Sequence, residues 1–385
     1  VVDDSDNFRF GHTAGRYGMT LQDRFDPDEL IDVACEVAGG RDFGNAYGWS
    51  DGLELLCEGL VDEAGLSPLG VEIAHAHMVR ALVNRLQVFA WRTAHPEVAD
   101  RRIHQPVVIL GQPRTGTTLL HDLLSLDPGF RTPLTWEVDN PVPPPRPQQT
   151  VPGSPHPAGA RRGQECGRIL SSQFASMIFS VQYRLPTYYR WLLYDADCSG
   201  AYRFHRMFLQ HLQSEVRCQW LLKSPAHLWQ LDALLAEYPD AVLVQTHRDP
   251  LSVVSSMSAL THHLRRVATD RSTIAECAAQ AFEEIVVGLE RATRVREATG
   301  AQVLDVVFND FVQDPWTTIK SVYQQVGRDL LPDVEARMRA YLAAHPCGAG
   351  PRRYTWADTG LDAGEARDRV RGYQERYNVP DERLR

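Results

Sequence analysis

The sequence contains almost no lysine. Of its 40 basic side chains all are arginine except Lys223 and Lys320. Such a bias reflects a GC-rich coding source before it says anything about function, but it makes each lysine conspicuous. Long apolar runs are also missing, and no stretch approaches the ~20 consecutive apolar residues that cross a bilayer. The seven cysteines are scattered, odd in number and never spaced C-x-x-C. They predict free thiols in a reducing cytoplasm and exclude a disulfide framework or a zinc ribbon. No H-E-x-x-H occurs, and the close pairs His75/His77 and His262/His263 lack partnering Cys or carboxylates at ligand spacing, so no metal is expected. An excess of positive charge is lacking too. With 40 basic against 49 acidic residues the net charge is -9, which argues against nucleic-acid binding. The opening V-V-D-D-S-D-N-F-R-F has acids where a signal peptide would have a basic end and an apolar run. It starts on Val, so the natural start is expected to have been trimmed.

What is present is the balance of a globular protein, 385 residues with 43% hydrophobic and 23% charged side chains, enough for two or three domains or one enlarged α/β domain. Residues 1–20 show no periodicity and read as an arm. From Leu21 to about Val98 the pattern is helical, with starts at Asp26-Pro27 and Ser67-Pro68, where a capping side chain precedes a first-turn proline. The texture changes at Gln105. Aliphatic runs at Pro106–Leu110, Trp220–Leu222, Ala241–Val244 (continuing to Gln245) and Val303–Phe308 each lead into a helical pattern, at 119–126, 227–237, from 251, and near 316–326. That alternation predicts a parallel β-sheet flanked by helices. The expected organisation is an N-terminal arm and helical segment over 1–104, then an α/β domain over 105–385. Eight prolines between Pro141 and Pro157 break the second part with a surface crossing or lid, 141–165. Helical stretches at 165–181 and 201–216 follow it, and the chain closes with a tail, 346–385.

The strongest motif is Gly111-Gln112-Pro113-Arg114-Thr115-Gly116-Thr117-Thr118. It follows a strand and opens a helix, where backbone N–H groups and the helix dipole converge on an anion. The spacing is that of a phosphate loop, with Thr117 where nucleotide triphosphatases have lysine, so ATP or GTP hydrolysis is disfavoured. Arg114 inside the loop supplies the compensating cation. A second motif, His247-Arg248-Asp249-Pro250, follows the third strand. A protein-kinase catalytic loop is excluded because Pro250 and Val254 stand where Leu and Asn are needed. Arg248 with Ser256 instead reads as a second anion site at a strand's carboxyl end.

Together these motifs resemble those of the sulfotransferases that use 3′-phosphoadenosine 5′-phosphosulfate. Pro113–Leu119 resembles the family's 5′-phosphosulfate loop, Arg248 and Ser256 resemble its 3′-phosphate pair, and Phe308–Pro315 is similar to its late strand and Asp-Pro turn. Leu221–Leu228 and Thr135–Val138 look like a bacterial branch. The likeness covers about 106–327 firmly and the first hundred residues weakly. It implies a P-loop-like sulfotransferase fold and transfer of a sulfuryl group from that nucleotide, without a metal, to a hydroxyl of a small-molecule, lipid or sugar acceptor. Pro113, Arg114, Thr115, Gly116, Thr117 and Thr118 would hold the 5′ end, and Arg248 and Ser256 the 3′-phosphate. Arg352 and Arg353, with Tyr354 and Trp356, would close over the adenosine. Arg114 and Lys223 are expected to stabilise charge on the transferred group. For the general base Glu137 is placed before His227, with Glu165 third. Phe174, Phe179, Tyr183, Tyr188, Tyr189 and Trp191 are expected around the acceptor. The alternatives are a P-loop small-molecule kinase or a non-catalytic nucleotide-binding module. Oligomeric state and acceptor identity stay open.

Overall fold

The apolar run before the phosphate loop becomes strand β1 (Val107–Gly111), whose five residues are all buried, as expected of a central parallel strand covered on both faces. The computed structural model that shows this describes residues 19–44, 47–144, 163–214, 218–345 and 355–384. Four further strands join it: β2 (Phe130–Arg131), β3 (Gln219–Lys223), β4 (Val242–His247) and β5 (Val303–Val307). The order is β2-β3-β1-β4-β5, and every pairing is parallel. After β1 the chain fills one side of the sheet and then crosses to the other. The loop after β1 therefore lies at the switch point between β3 and β4, where open parallel sheets bind ligands.

Two boundaries differ from the sequence reading. β4 continues through His247, because its hydrogen-bonded register with β5 runs to Val307; the His-Arg-Asp motif thus begins inside a strand. Phe308 leaves β5 to open the helix Phe308–Gln313. Elsewhere the helical stretch expected over 165–181 is two short helices, Cys166–Ser171 and Met177–Gln182. Most of the Pro-rich crossing lies outside the described residues.

The N-terminal helices begin where the sequence places their caps. Asp26 accepts from the amides of Asp28 and Glu29 ahead of Pro27–Ala38, and Ser67 accepts from Gly70 ahead of Pro68–Ala94. Their apolar faces join the same core as the helices over 166–212 and the β1/β3 face of the sheet. Leu30, Leu56, Leu60 and Leu82 are fully buried there, each stabilising by roughly 1.5–3 kcal/mol. Gly52 shows how close the approach is: a Cβ on it would stand 2.3 Å from the Phe174 carbonyl oxygen. Arg85 crosses this junction with no exposed surface. It donates to the carbonyls of Phe43, Gly44 and Ser172 and to the Gln173 amide oxygen, between the rings of Tyr47, Trp49, Phe89 and Phe204. Burial brings its pKa down to about 9, so it keeps its charge at neutral pH.

Candidate active site

The loop after β1 leads into an uncapped helix start. Gly116 sits at φ +90° as the N-cap of the helix Thr117–Leu124, and no side chain caps that helix, so its first amides and dipole remain available to a ligand. A side chain at Gly116 would be strained at that φ, and its Cβ would press on Phe308 at 3.1 Å. Arg114 also lies in the left-handed region, at φ +68°, a conformation that costs a non-glycine residue roughly 1 kcal/mol or more. Two bonds hold it there: Arg248 Nη1 donates to its carbonyl at 2.9 Å, and its own Nε donates to Ser256 Oγ at 3.1 Å. Arg114, Arg248 and Ser256 are thus one cluster on the β4 side of the loop. The Phe308 ring lies beneath the Arg248 guanidinium, 4.3 Å from its centroid.

On the β3 side, Lys223 ends its strand next to Ile109 of β1. Its side chain is nearly buried, and Nζ donates to Thr118 Oγ1 at 3.2 Å and to Glu165 Oε1 at 2.6 Å. Glu165 precedes the helix Cys166–Ser171, and its side chain is 39% exposed. The mouth of the loop is therefore flanked by arginines on one side and by a lysine–carboxylate pair on the other.

The loop threonines differ in use. Thr115 turns inward, its hydroxyl bonded to the Gln112 carbonyl and to Thr246 Oγ1, so only its backbone can meet a ligand. Thr117 is buried, whereas Thr118 is exposed, and Pro113 is half-buried. Among the described residues no group of His, Cys, Asp and Glu is placed to hold a metal, and no helix is long and apolar enough to cross a membrane.

A family model described as "Sulfotransferase family" matches residues 106–333, which include the loop, Lys223, and the Arg248–Ser256 pair. The chain belongs to the sulfotransferase family. It is 30% identical to the crystal structure of sulfotransferase STF1 from Mycobacterium tuberculosis H37Rv, covering 91% of this chain and 100% of that one at a TM-score of 0.81. Sulfotransferase STF9 from Mycobacterium avium is 27% identical, with a TM-score of 0.86 over 92% of this chain and 97% of that one. The omega-hydroxy-beta-dihydromenaquinone-9 sulfotransferase Stf3 of Mycobacterium tuberculosis is 25% identical over 67% of this chain and 71% of its own. The protein is an enzyme with sulfotransferase activity.

The surroundings of several expected side chains in this sulfotransferase bear on their roles. Glu137 caps its own helix, accepting from the Leu134 amide at 3.1 Å, and pairs with Arg131 at 3.2 Å. Arg131 in turn stacks over Trp220. Burial pushes the Glu137 pKa up, against the pull of Arg131 and the Leu134 amide. Both carboxylate oxygens are engaged and the side chain is buried. Glu137→Gln is expected to cost about 1–3 kcal/mol of stability through a weakened buried ion pair and cap, read as a lower melting temperature with turnover unchanged. Lost turnover at unchanged stability would return Glu137 to the chemistry.

His227 is fully buried on the turn after Lys223, with Nδ1 bonded to the Tyr202 hydroxyl at 2.7 Å. Burial, then the nearby His205, lowers its pKa well below the usual imidazole value. It is neutral at ordinary pH and has no exposed surface. The histidine whose titration feels Lys223 is His121, on the phosphate-loop helix, brought to about 3 by burial and then by the lysine's charge. The expected acceptor-lining aromatics are largely core. Phe174, Phe179, Tyr183 and Tyr188 are buried, Tyr183 bonding His77 and Tyr188 bonding the Phe174 and Ser176 backbone. Arg352, Arg353 and Tyr354 lie outside the described residues. Trp356 is buried in a packing cluster with Leu251 and Val370.

The His-Arg-Asp motif does something that sequence reasoning missed: it fastens the C-terminal helix Ala363–Tyr377 and the segment after it. His247 bonds Tyr373 at 2.7 Å and stacks on Tyr377. Asp249 takes two bonds from Arg367 and one from the Glu382 amide. The Arg248 fork meets the Glu382 carboxylate, Nε to Oε1 at 2.6 Å and Nη2 to Oε2 at 2.8 Å. The aromatic and charged residues of the tail, spaced along one helix and its exit, are the sequence signal for this docking.

The spacing Gly48-Trp49-Ser50-Asp51-Gly52 imitates a hydrolase nucleophile elbow, but no strand is assigned before it among the described residues. Ser50 opens a helix and bonds its neighbour Asp51, so nothing makes it a nucleophile.

Proposed function

We propose that the enzyme takes the sulfuryl group of 3′-phosphoadenosine 5′-phosphosulfate and passes it to the hydroxyl of an apolar alcohol. The observation that carries this reading is the convergence of two sets of charged groups on one uncapped helix start. Arg114, Arg248 and Ser256 stand on the β4 side, and Lys223, Thr118 and Glu165 on the β3 side. Loop amides and Thr118 would bind the 5′-phosphate, and Arg248 the 3′-phosphate, the group that distinguishes this donor from other adenine nucleotides. Lys223 and Arg114 would stabilise charge on the transferred group and on the leaving phosphate.

In the transfer, the acceptor oxygen forms a bond to sulfur as the bond from sulfur to the bridging oxygen breaks. The electron pair leaves with 3′-phosphoadenosine 5′-phosphate, and the acceptor's proton goes to a carboxylate. Glu165 is the base that the geometry favours: it is partly exposed, it lies at the loop mouth, and its partner is the lysine beside the reacting group. Positioning and electrostatics carry the rest, as in phosphoryl transfer.

The apolar acceptor is proposed by analogy with a relative, and Ala226, three residues beyond Lys223, stands among apolar residues that include Leu170, Met177, Leu192, Leu193 and Trp229. The name of the relative Stf3 describes an acceptor of this class, a hydroxyl on a prenylated quinone. Thermal denaturation with 3′-phosphoadenosine 5′-phosphate and with 5′-AMP tests the donor. The bisphosphate is expected to raise the melting temperature more than AMP does, and Arg248→Ala to erase the difference. Equal stabilisation by both nucleotides in the unaltered enzyme would sink the donor assignment. Transfer of labelled sulfate to alcohols of increasing chain length tests the acceptor, and a preference for sugars would overturn that part.

A further inference from the structure

The cation assigned to the 3′-phosphate already holds an anion from its own chain. Arg248 and Glu382 form a two-bond, parallel pair, with the guanidinium 15% and the carboxylate 19% exposed. This is the geometry in which arginine binds a carboxylate or a phosphate face-on, and one fork serves one such partner. Glu382 does not reach Arg248 by drifting across a surface. The helix before it ends at Asn378, with φ 52°. Gln374 Nε2 then holds the turned chain through the Val379 carbonyl and Asp381 Oδ1. Arg367 ties Asp381 and Asp249 together, and the Glu382 amide donates to Asp249 at 2.7 Å. The backbone on which Glu382 rides is therefore pinned beside Arg248 independently of the carboxylate itself.

We infer that Glu382 is a specificity-determining residue that competes, as an internal carboxylate, with the donor's 3′-phosphate for Arg248. The inference rests on the assignment of Arg248 to that phosphate. A phosphate dianion arriving at the fork meets a carboxylate already making both bonds, and the two anions repel each other. The side chain must swing off Arg248 for the nucleotide to seat, while the pinned backbone keeps it close by. When the bisphosphate product departs, the same carboxylate reoccupies the fork. Binding of the donor and of its product is weakened alike, and release is hastened. A nucleotide without a 3′-phosphate leaves the pair intact and is indifferent to Glu382.

The test is a comparison of 3′-phosphoadenosine 5′-phosphate with 5′-AMP, by calorimetry and stopped-flow dissociation, on the full chain and its Glu382→Gln, Glu382→Asp and Arg248→Ala variants. Removing the charge in Glu382→Gln is expected to tighten the bisphosphate by about 10- to 100-fold, the size of one charge-assisted pair. Most of the change should lie in slower dissociation, and AMP affinity should stay the same. Glu382→Asp, one methylene shorter on the pinned backbone, should fall between the two. Melting temperatures without nucleotide establish that each variant is folded. Unchanged or weaker bisphosphate binding in a folded Glu382→Gln, while Arg248→Ala still abolishes the preference over AMP, overturns the competition and leaves the 3′-phosphate assignment standing. A preference that survives Arg248→Ala overturns the assignment and the inference with it.

Discussion

Lys223→Ala is expected to lower kcat by about 10²- to 10³-fold, the loss seen when one preorganised donor to developing charge is removed. The lysine is fixed before any substrate arrives. β3 delivers it to the strand's carboxyl end beside β1, and Nζ is anchored to Thr118 of the loop helix and to Glu165. Its stem is buried, so the ammonium cannot wander. In the proposed role a charge held in this way would act where oxyanion charge grows during transfer, which would place the effect in kcat more than in the KM for the donor. Stability should fall only modestly, because Glu165 is 39% exposed and water can solvate it once the pair is lost, whereas the buried lysine stem leaves a gap behind. Steady-state transfer of labelled sulfate with saturating donor decides the matter. A kcat like that of the unaltered enzyme, at any KM, would remove Lys223 from the chemistry.

Glu165→Ala should be comparably severe, a fall of about 10²- to 10⁴-fold for loss of a general base, with donor binding retained. Two comparisons separate a base from a mere partner of Lys223. Glu165→Gln keeps the shape and a hydrogen bond to the lysine, so a base is lost in both variants whereas a positioning group is partly rescued by Gln. Added formate should restore part of the turnover in Glu165→Ala, since a small carboxylate can take the acceptor's proton from the space the side chain left. Full activity in Glu165→Gln would assign the residue to holding Lys223 in place.

The strand, loop and helix around Gly116 were legible in the sequence because they depend on backbone preferences and on short spacings. Gly116, the helix start at Thr117 and the preceding apolar strand lie within a dozen residues of one another, so propensity and motif agree. That Arg248 and Ser256 follow a strand was readable for the same reason. The base was not. Glu137 and Glu165 are separated by the Pro-rich stretch, and which of them reaches Lys223 is set by tertiary packing. Glu137 was taken by Arg131 and a helix cap, two partners that composition cannot reveal. Likewise, the aromatic residues over 174–191 have the same periodicity whether they line a pocket or a core, and here Tyr188 and Phe174 were claimed by the core. Glu382 stands 134 residues from Arg248, and no local pattern joins them. β2 has two residues, too few for any periodicity.

Arg85 gives the change of texture at residue 105 a different meaning. A guanidinium that is sealed among four rings and bonded to backbone on both sides of that boundary behaves as a cross-brace. If the helices before residue 105 peeled away, a charge and its bonded carbonyls would be left unsatisfied inside an apolar core. Breaking that brace, for example in Arg85→Ala, is therefore expected to loosen the packing of the early helices against the strand-bearing region.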